Sequence, residues 1–259
     1  MFSTVEDLKR FYDSDIGQIV RELISAHIYN FWPDVHGQRI LGCGYSTPYL
    51  SLFHDEKPER LISMMPNTQG GHLWPDGQRN LVFMSDEAHM PLEPASIDRL
   101  LLVHYLENCS DLNQTLREAW RVLKANGRIL IVVPNRMGAW AHADWSPFGR
   151  GRPFTIHQIC SLLQDHRFMY EQHQGGLFML PLPNSAVMMK LSHFMERMGK
   201  TVLPFVAGVH VVEFSKQIYA RAGDSGSGSA VVTKTQEILA GKAKPVPQNF
   251  NSRLDLVDR

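Results

Sequence analysis

Two unbroken apolar runs, Leu100-Leu101-Leu102-Val103 and Ile129-Leu130-Ile131-Val132-Val133, constrain this chain most. Each is far short of the roughly 18 apolar residues that a membrane-crossing helix needs. A short run with no polar side is a strand covered on both faces. Between the two lies a segment of helical spacing over 112–123, in which Leu112, Leu116, Ala119, Trp120 and Leu123 share one face. Strand, amphipathic helix, strand is the unit of a parallel sheet. Further strands are predicted at 39–42, 60–65, 81–84, 168–173 and 209–219, which makes seven with the two runs (97–103 and 128–134). The fold class is α/β: a doubly wound, mostly parallel seven-stranded sheet with flanking helices.

Helical spacing over 4–32 runs through Leu8, Phe11, Tyr12, Ile16, Ile19, Val20, Leu23, Ile24 and Ile28 until Pro33 stops it. Tyr49 to His54 reads as a short helix, and Ala125-Asn126-Gly127 carries the C-cap signal that ends the helix over 112–123. After Pro134 a Gly-, Arg-, Trp- and Pro-rich loop covers 135–154. Helix resumes with Thr155 as N-cap and Ile156, Ile159, Leu162 and Leu163 as its apolar face. A further helix is expected over 185–198, and an exposed apolar cluster over Leu177 to Pro183. The Gly-Asp-Ser-Gly-Ser-Gly-Ser stretch from Gly223 has linker composition. One domain is therefore expected over 1–222, with N-terminal helices over 1–36 and two halves at 37–134 and 135–222. A flexible tail follows over 223–259, with a short helix near 233–239, and that tail could take a protein partner.

Composition narrows the classes further. With 259 residues, 44% hydrophobic, the chain can bury a sizeable core. Its 26 basic residues balance 26 acidic ones, so no nucleic-acid partner is expected. Three scattered cysteines, Cys43, Cys109 and Cys160, fit a reducing compartment. The start of the chain has no basic segment followed by an apolar one. A cytoplasmic protein without a membrane span is expected. The twelve histidines show no ligand spacing, so no metal is expected.

Several motifs fall in order. Ser85-Asp86-Glu87-Ala88-His89-Met90-Pro91-Leu92 precedes Ala95-Ser96-Ile97-Asp98-Arg99. Val103-His104-Tyr105-Leu106-Glu107-Asn108 follows, then Arg121-Val122-Leu123-Lys124-Ala125-Asn126-Gly127-Arg128. Over residues 38–134 the chain resembles the class I, S-adenosylmethionine-dependent methyltransferases, particularly the quinone-biosynthesis branch. That family carries an acidic-x-x-x-Leu-Pro-Phe turn, a His-x-Leu strand end and an Arg-x-Leu-Lys-Pro-Gly-Gly turn. The resemblance implies a Rossmann-like fold, with 37–134 as cofactor half and 135–222 as substrate half, and S-adenosylmethionine as cofactor.

The departure from the family lies in the glycine turn, Ile40-Leu41-Gly42-Cys43-Gly44-Tyr45-Ser46-Thr47-Pro48-Tyr49. One register makes Gly42 and Gly44 the family's first two glycines. The other, which starts the helix where the family's helix starts, uses Gly44, Ser46 and Pro48. Neither leaves an acid at the end of the first strand. The second strand, ending Met64-Met65-Pro66-Asn67, also lacks the acid that grips the ribose hydroxyls. A buried diol without partners costs ~1–3 kcal/mol per lost hydrogen bond. Asn67 or Gln69 could compensate in part.

The residues the resemblance assigns to the cofactor are Gly42, Gly44, Tyr45, Ser46, Met65, Asp86, Glu87 and His104. Each has a plainer reading. The glycines serve any turn of this kind, Asp86 can cap the turn after it, and His104 can be a core histidine bonded to backbone. On the substrate side, Arg136, Trp145, Arg152 and His157 suit a planar or anionic acceptor. They equally suit a structural loop. His104 and His157 are the candidate bases, needed only if the acceptor must lose a proton. The acceptor, a small molecule or a protein, is not legible. The rival function is a non-catalytic methyltransferase-like interaction or regulatory protein, which the eroded motif would suit.

Overall fold

The computed structural model describes residues 4–181 and 207–217. Helix α1 (Val5–Tyr12) and helix α2 (Asp15–Phe31) open the chain. They are two helices where periodicity predicts one. Ser14 takes an extended backbone and its hydroxyl accepts the Gly17 N–H, so it caps a new helix instead of continuing the old one. Strands β1 (Arg39–Gly44), β2 (Arg60–Pro66), β3 (Val82–Ser85), β4 (Ile97–Val103) and β5 (Leu123–Pro134) then run parallel. Between them lie the one-turn helix α3 (Thr47–Leu50) and helix α4 (Leu112–Val122). Helix α5 (Ile156–Asp165), with the predicted Thr155 cap completed by Gln158, leads into β6 (Phe168–Gly176) and β7 (Val209–Lys216). The sheet order is β3-β2-β1-β4-β5-β7-β6, with β7 antiparallel to both neighbours.

The apolar runs are explained by the two cores. Leu101, Val103, Leu130, Val132, Val209 and Val211 face α1, α2 and α3. Leu100, Leu102, Ile129, Ile131, Val133 and Val212 face α4 and α5. Each such side chain contributes about 1.5–3 kcal/mol on burial, which commits the strands to two-sided cover.

Two expectations need correction. Asn126-Gly127 does not end α4. The helix stops at Val122, and Leu123 is already extended and paired with Ile97. Asn126, at φ 62°, instead makes a kink inside β5, where a Cβ on Gly127 would lie 2.6 Å from the Leu123 side chain. The segment after β6 is not an exposed apolar cluster. Over its described residues, Leu177, Phe178 and Met179 are buried and Leu180 is exposed. The Met179 carbonyl accepts the Trp140 indole N–H, and the Leu177 carbonyl accepts the Gly208 N–H. The helix expected at 185–198 and the tail 223–259 lie outside the described residues.

Candidate active site at the strand ends

Ligands of open α/β sheets sit beyond the carboxyl ends of the strands, where the order reverses. Here the reversal falls between β1 and β4. Strand β1 ends at Gly44, at φ 75° and opposite Val103. A Cβ on Gly44 would lie 2.3 Å from the Val103 carbonyl oxygen, so this glycine answers to the neighbouring strand. Tyr45, Ser46 and Thr47 follow, and Pro48 occupies the first turn of α3, where its missing N–H costs nothing. Gly42 is inside the strand, and a Cβ there would meet the Ser46 hydroxyl at 2.2 Å.

At the end of β4, His104 takes φ 50°, a conformation that costs a non-glycine residue about 1 kcal/mol or more. Four groups hold it there. The Gln69 and Asn108 amides donate to its carbonyl, both at 3.2 Å. Its ring Nδ1 lies 3.1 Å from Glu107 Oε1 and its Nε2 lies 2.8 Å from the Tyr12 hydroxyl. Taking the Glu107 oxygen as the acceptor places the ring proton on Nδ1. The Tyr12 hydroxyl then donates to Nε2 and accepts from Tyr49, 2.9 Å away. The result is a directed chain from Tyr49 through Tyr12 and His104 to Glu107. Burial, with the tyrosine neighbours adding to it, pushes the Tyr12 phenol well above its ordinary range. Glu107 Oε2 is buried with no hydrogen-bond partner among the described residues.

Aromatic rings close over this chain. Tyr12 stacks on Tyr45 at 5.4 Å, Phe148 lies 4.8 Å from the His104 ring, and Phe11 reaches Trp145 at 6.3 Å. Of the expected cofactor residues, Tyr45, Ser46, Met65 and His104 are buried, Tyr45 being the most exposed at 3%. Glu87 is buried too, and burial raises its carboxyl above the ordinary value. Asp86 is exposed, accepts the Ala88 N–H at 2.8 Å, and so caps its turn.

The substrate-side residues do not form one cluster. Trp145 is 40% exposed, beside Phe11 and Trp140. Arg136 and Arg152 are exposed near each other, since Arg136 N–H donates to Phe154 and Arg152 N–H donates to Glu107. His157 is exposed on the first turn of α5. Sequence reasoning missed Tyr12, Tyr49, Glu107 and Phe148, and offered Gln69 only as a partner for the ribose, whereas its amide donates to the His104 carbonyl. The available signal was two tyrosine hydroxyls on otherwise apolar helix faces. A cavity of about 320 Å³ lined by Arg117, Trp120, Asp165, His166 and Arg167 opens beside the start of β6, at the opposite end of the parallel strands.

Residues 40–131 match the family model described as a methyltransferase domain, from β1 into β5. Over that stretch, about a third of the chain, the protein is similar to a methyltransferase domain. A search of curated proteins finds no match. Among solved structures, the domain is similar to a methyltransferase of Haloferax volcanii in complex with the Trm112 activator. The TM-score is 0.61 at 14% identity, over 84% of this chain and 99% of that one. It is similar to an S-adenosylmethionine-dependent methyltransferase of Archaeoglobus fulgidus (0.57, 16%, over 80% and 97%). A third likeness is to one of Thermotoga maritima (0.53, 14%, over 82% and 96%). At such identities the likeness is one of fold. The Archaeoglobus fulgidus and Thermotoga maritima proteins are described as dependent on S-adenosylmethionine.

The strand ends, as folded here, do not fit that cofactor. Neither β1 nor β2 ends in a carboxylate, and the strand ends that would receive the sulfonium and ribose lie beneath Tyr12, Tyr45 and Gln69.

Proposed function

We propose that this protein is an S-adenosylmethionine-dependent methyltransferase acting on an unidentified acceptor. The observation that carries the reading is the family match over 40–131, with its motifs in order on β1, β3, β4 and β5. That match favours the enzyme over a non-catalytic platform. Methyl transfer from an activated donor depends mostly on positioning. What the chain itself offers is a proton acceptor. His104, with Nδ1–H held by Glu107, can take a proton from an O–H or N–H acceptor through Nε2 once Tyr12 leaves it. Glu107 then faces the imidazolium it has oriented.

On the acceptor side the reading uses Trp145 as an apolar cover and Arg136 and Arg152 as grips for an anionic group. A protein partner through the tail stays a separate proposal. The test is calorimetry with S-adenosylhomocysteine, the demethylated cofactor. Weak but saturable heat supports the reading. No heat and no melting shift at millimolar ligand would end it.

A further inference from the structure

We propose that the cavity between α4 and the end of α5 binds a small aromatic anion, one flat ring system bearing a phosphate or a carboxylate. The cavity lies at the end of the parallel strands opposite the glycine turn, and the inference is independent of the methyltransferase reading.

Its volume of about 320 Å³ falls in the range of small-molecule sites. Arg117 and Trp120 are three positions apart on α4 and share a face. Asp165, His166 and Arg167 close the cavity from the end of α5. Trp120 is a fixed wall. Phe168 meets its ring edge to face at 5.1 Å, and the Lys216 ammonium lies 5.1 Å from the ring centroid. The same ammonium donates to the Trp120 and Leu123 carbonyls, both at 2.6 Å, so β7 pins the turn that carries the indole. An indole held in this way is a surface on which a flat ligand stacks.

The charges around it are uncommitted. Arg117 and Arg167 are exposed, and neither guanidinium has a hydrogen-bond or ion-pair partner among the described residues. Asp165 lines the same cavity and pairs with neither. With Lys216 behind the indole, three cations stand against one carboxylate. Two guanidiniums supply the forked donors that fit an oxyanion. The His166 Nδ1–H donates to the Leu162 carbonyl at 2.8 Å, which makes Nε2 the acceptor of the neutral ring.

Arg167 also sits where the backbone favours another residue. It follows the cap of α5 at φ 67°, with its N–H donating to the Gln164 carbonyl at 2.9 Å. Glycine is the usual occupant of that left-handed position, because a Cβ is disfavoured there. This chain carries a guanidinium there instead, on the wall of the cavity.

That conflict supplies a discriminating variant. Arg167→Gly removes the guanidinium and relieves the backbone, so it should melt no lower than the parent and yet bind less. Arg117→Gln removes the other charge and keeps a good helix former. Calorimetry with adenosine monophosphate and with naphthoate compares both variants with the unaltered full chain. The expected result is saturable heat with at least one probe, and a dissociation constant raised roughly fivefold to tenfold in each variant. Which probe binds more tightly separates a phosphate from a carboxylate ligand. No heat from either probe at millimolar concentration would overturn the proposal. Binding that both variants retain unchanged would overturn it too, because the probe would then sit elsewhere on the protein.

Discussion

The Tyr12 hydroxyl lies 2.8 Å from His104 Nε2, joining residues 92 positions apart in a fully buried contact. Through it the first helix of the chain is tied to the end of β4. Energetically the tie is a modest one, since a single buried hydrogen bond contributes on the order of 1 kcal/mol. Its weight comes from its neighbours, because leaving it unmade strands the imidazole nitrogen and the Tyr49 hydroxyl as well.

Gly44 and Gly37 separate strain from collision. Both have positive φ, but a Cβ on Gly37 would meet nothing within 4 Å, whereas one on Gly44 meets the Val103 oxygen at 2.3 Å. Gly37→Ala should cost about 1 kcal/mol. Gly44→Ala should cost more than about 3 kcal/mol, or prevent folding. Urea unfolding of the pair checks this, and equal losses would refute the close approach.

Glu213 is a buried carboxylate that accepts the Trp32 indole N–H at 2.8 Å and Arg128 at 2.7 Å, with Arg99 at 3.8 Å. Glu213→Leu should destabilise the fold by about 3 kcal/mol, because it leaves Arg99 uncompensated. The figure is at the low end for a broken buried pair, since the Arg128 side chain is 39% exposed and can turn to water. Denaturant unfolding at neutral pH measures it. A variant as stable as the parent would show that the charges gain nothing from one another.

Acid should weaken the fold from near neutrality downward. His173 Nε2 lies 3.0 Å from His210 Nδ1. Burial first, then a neighbouring histidine, pushes His173 down to about 4 and His210 to about 3. Above about 6.5 both are neutral folded or unfolded, and they add no pH dependence. Below it the unfolded chain binds protons that the fold refuses, so stability falls as pH drops from about 6.5 and levels off below the folded values. Unfolding free energies at pH 7, 6 and 5 test the sign, and His210→Phe should flatten the slope. A flat profile from pH 7 to 5 in the parent would contradict the burial of both rings.

Trp145→Ala and Arg152→Ala remove exposed side chains, so stability should change by no more than about 0.5 kcal/mol for Arg152. S-adenosylhomocysteine affinity should hardly move in Arg152→Ala. Loss of that affinity would place this loop on the cofactor and remove it from the acceptor side.

The sheet was legible because its signal is local. The Leu100–Val103 and Ile129–Val133 runs and the face through Leu112, Leu116 and Ala119 each fit inside one element. The break at Ser14 and the early end of α4 were harder, since Asp13-Ser14-Asp15 is a short cap signal inside a strong apolar period. The resemblance pointed to His104 but not to its partners. Glu107 is three residues away, yet Tyr12, Tyr49 and Gln69 reach it only through tertiary folding. Trp140, read as a loop residue, is buried because its N–H finds a backbone carbonyl beyond β6.

The position of β7 has a consequence for synthesis. It is the last described strand to leave the ribosome, yet it lies between β5 and β6 and supplies the pairing for both. Until Val209 to Lys216 have emerged, the 12-residue β5 presents an apolar, unpaired edge, and β6 has no seat on the sheet. Such edges recruit other chains. A nascent chain stalled anywhere between Pro134 and Val209 is therefore the form of this protein most exposed to aggregation.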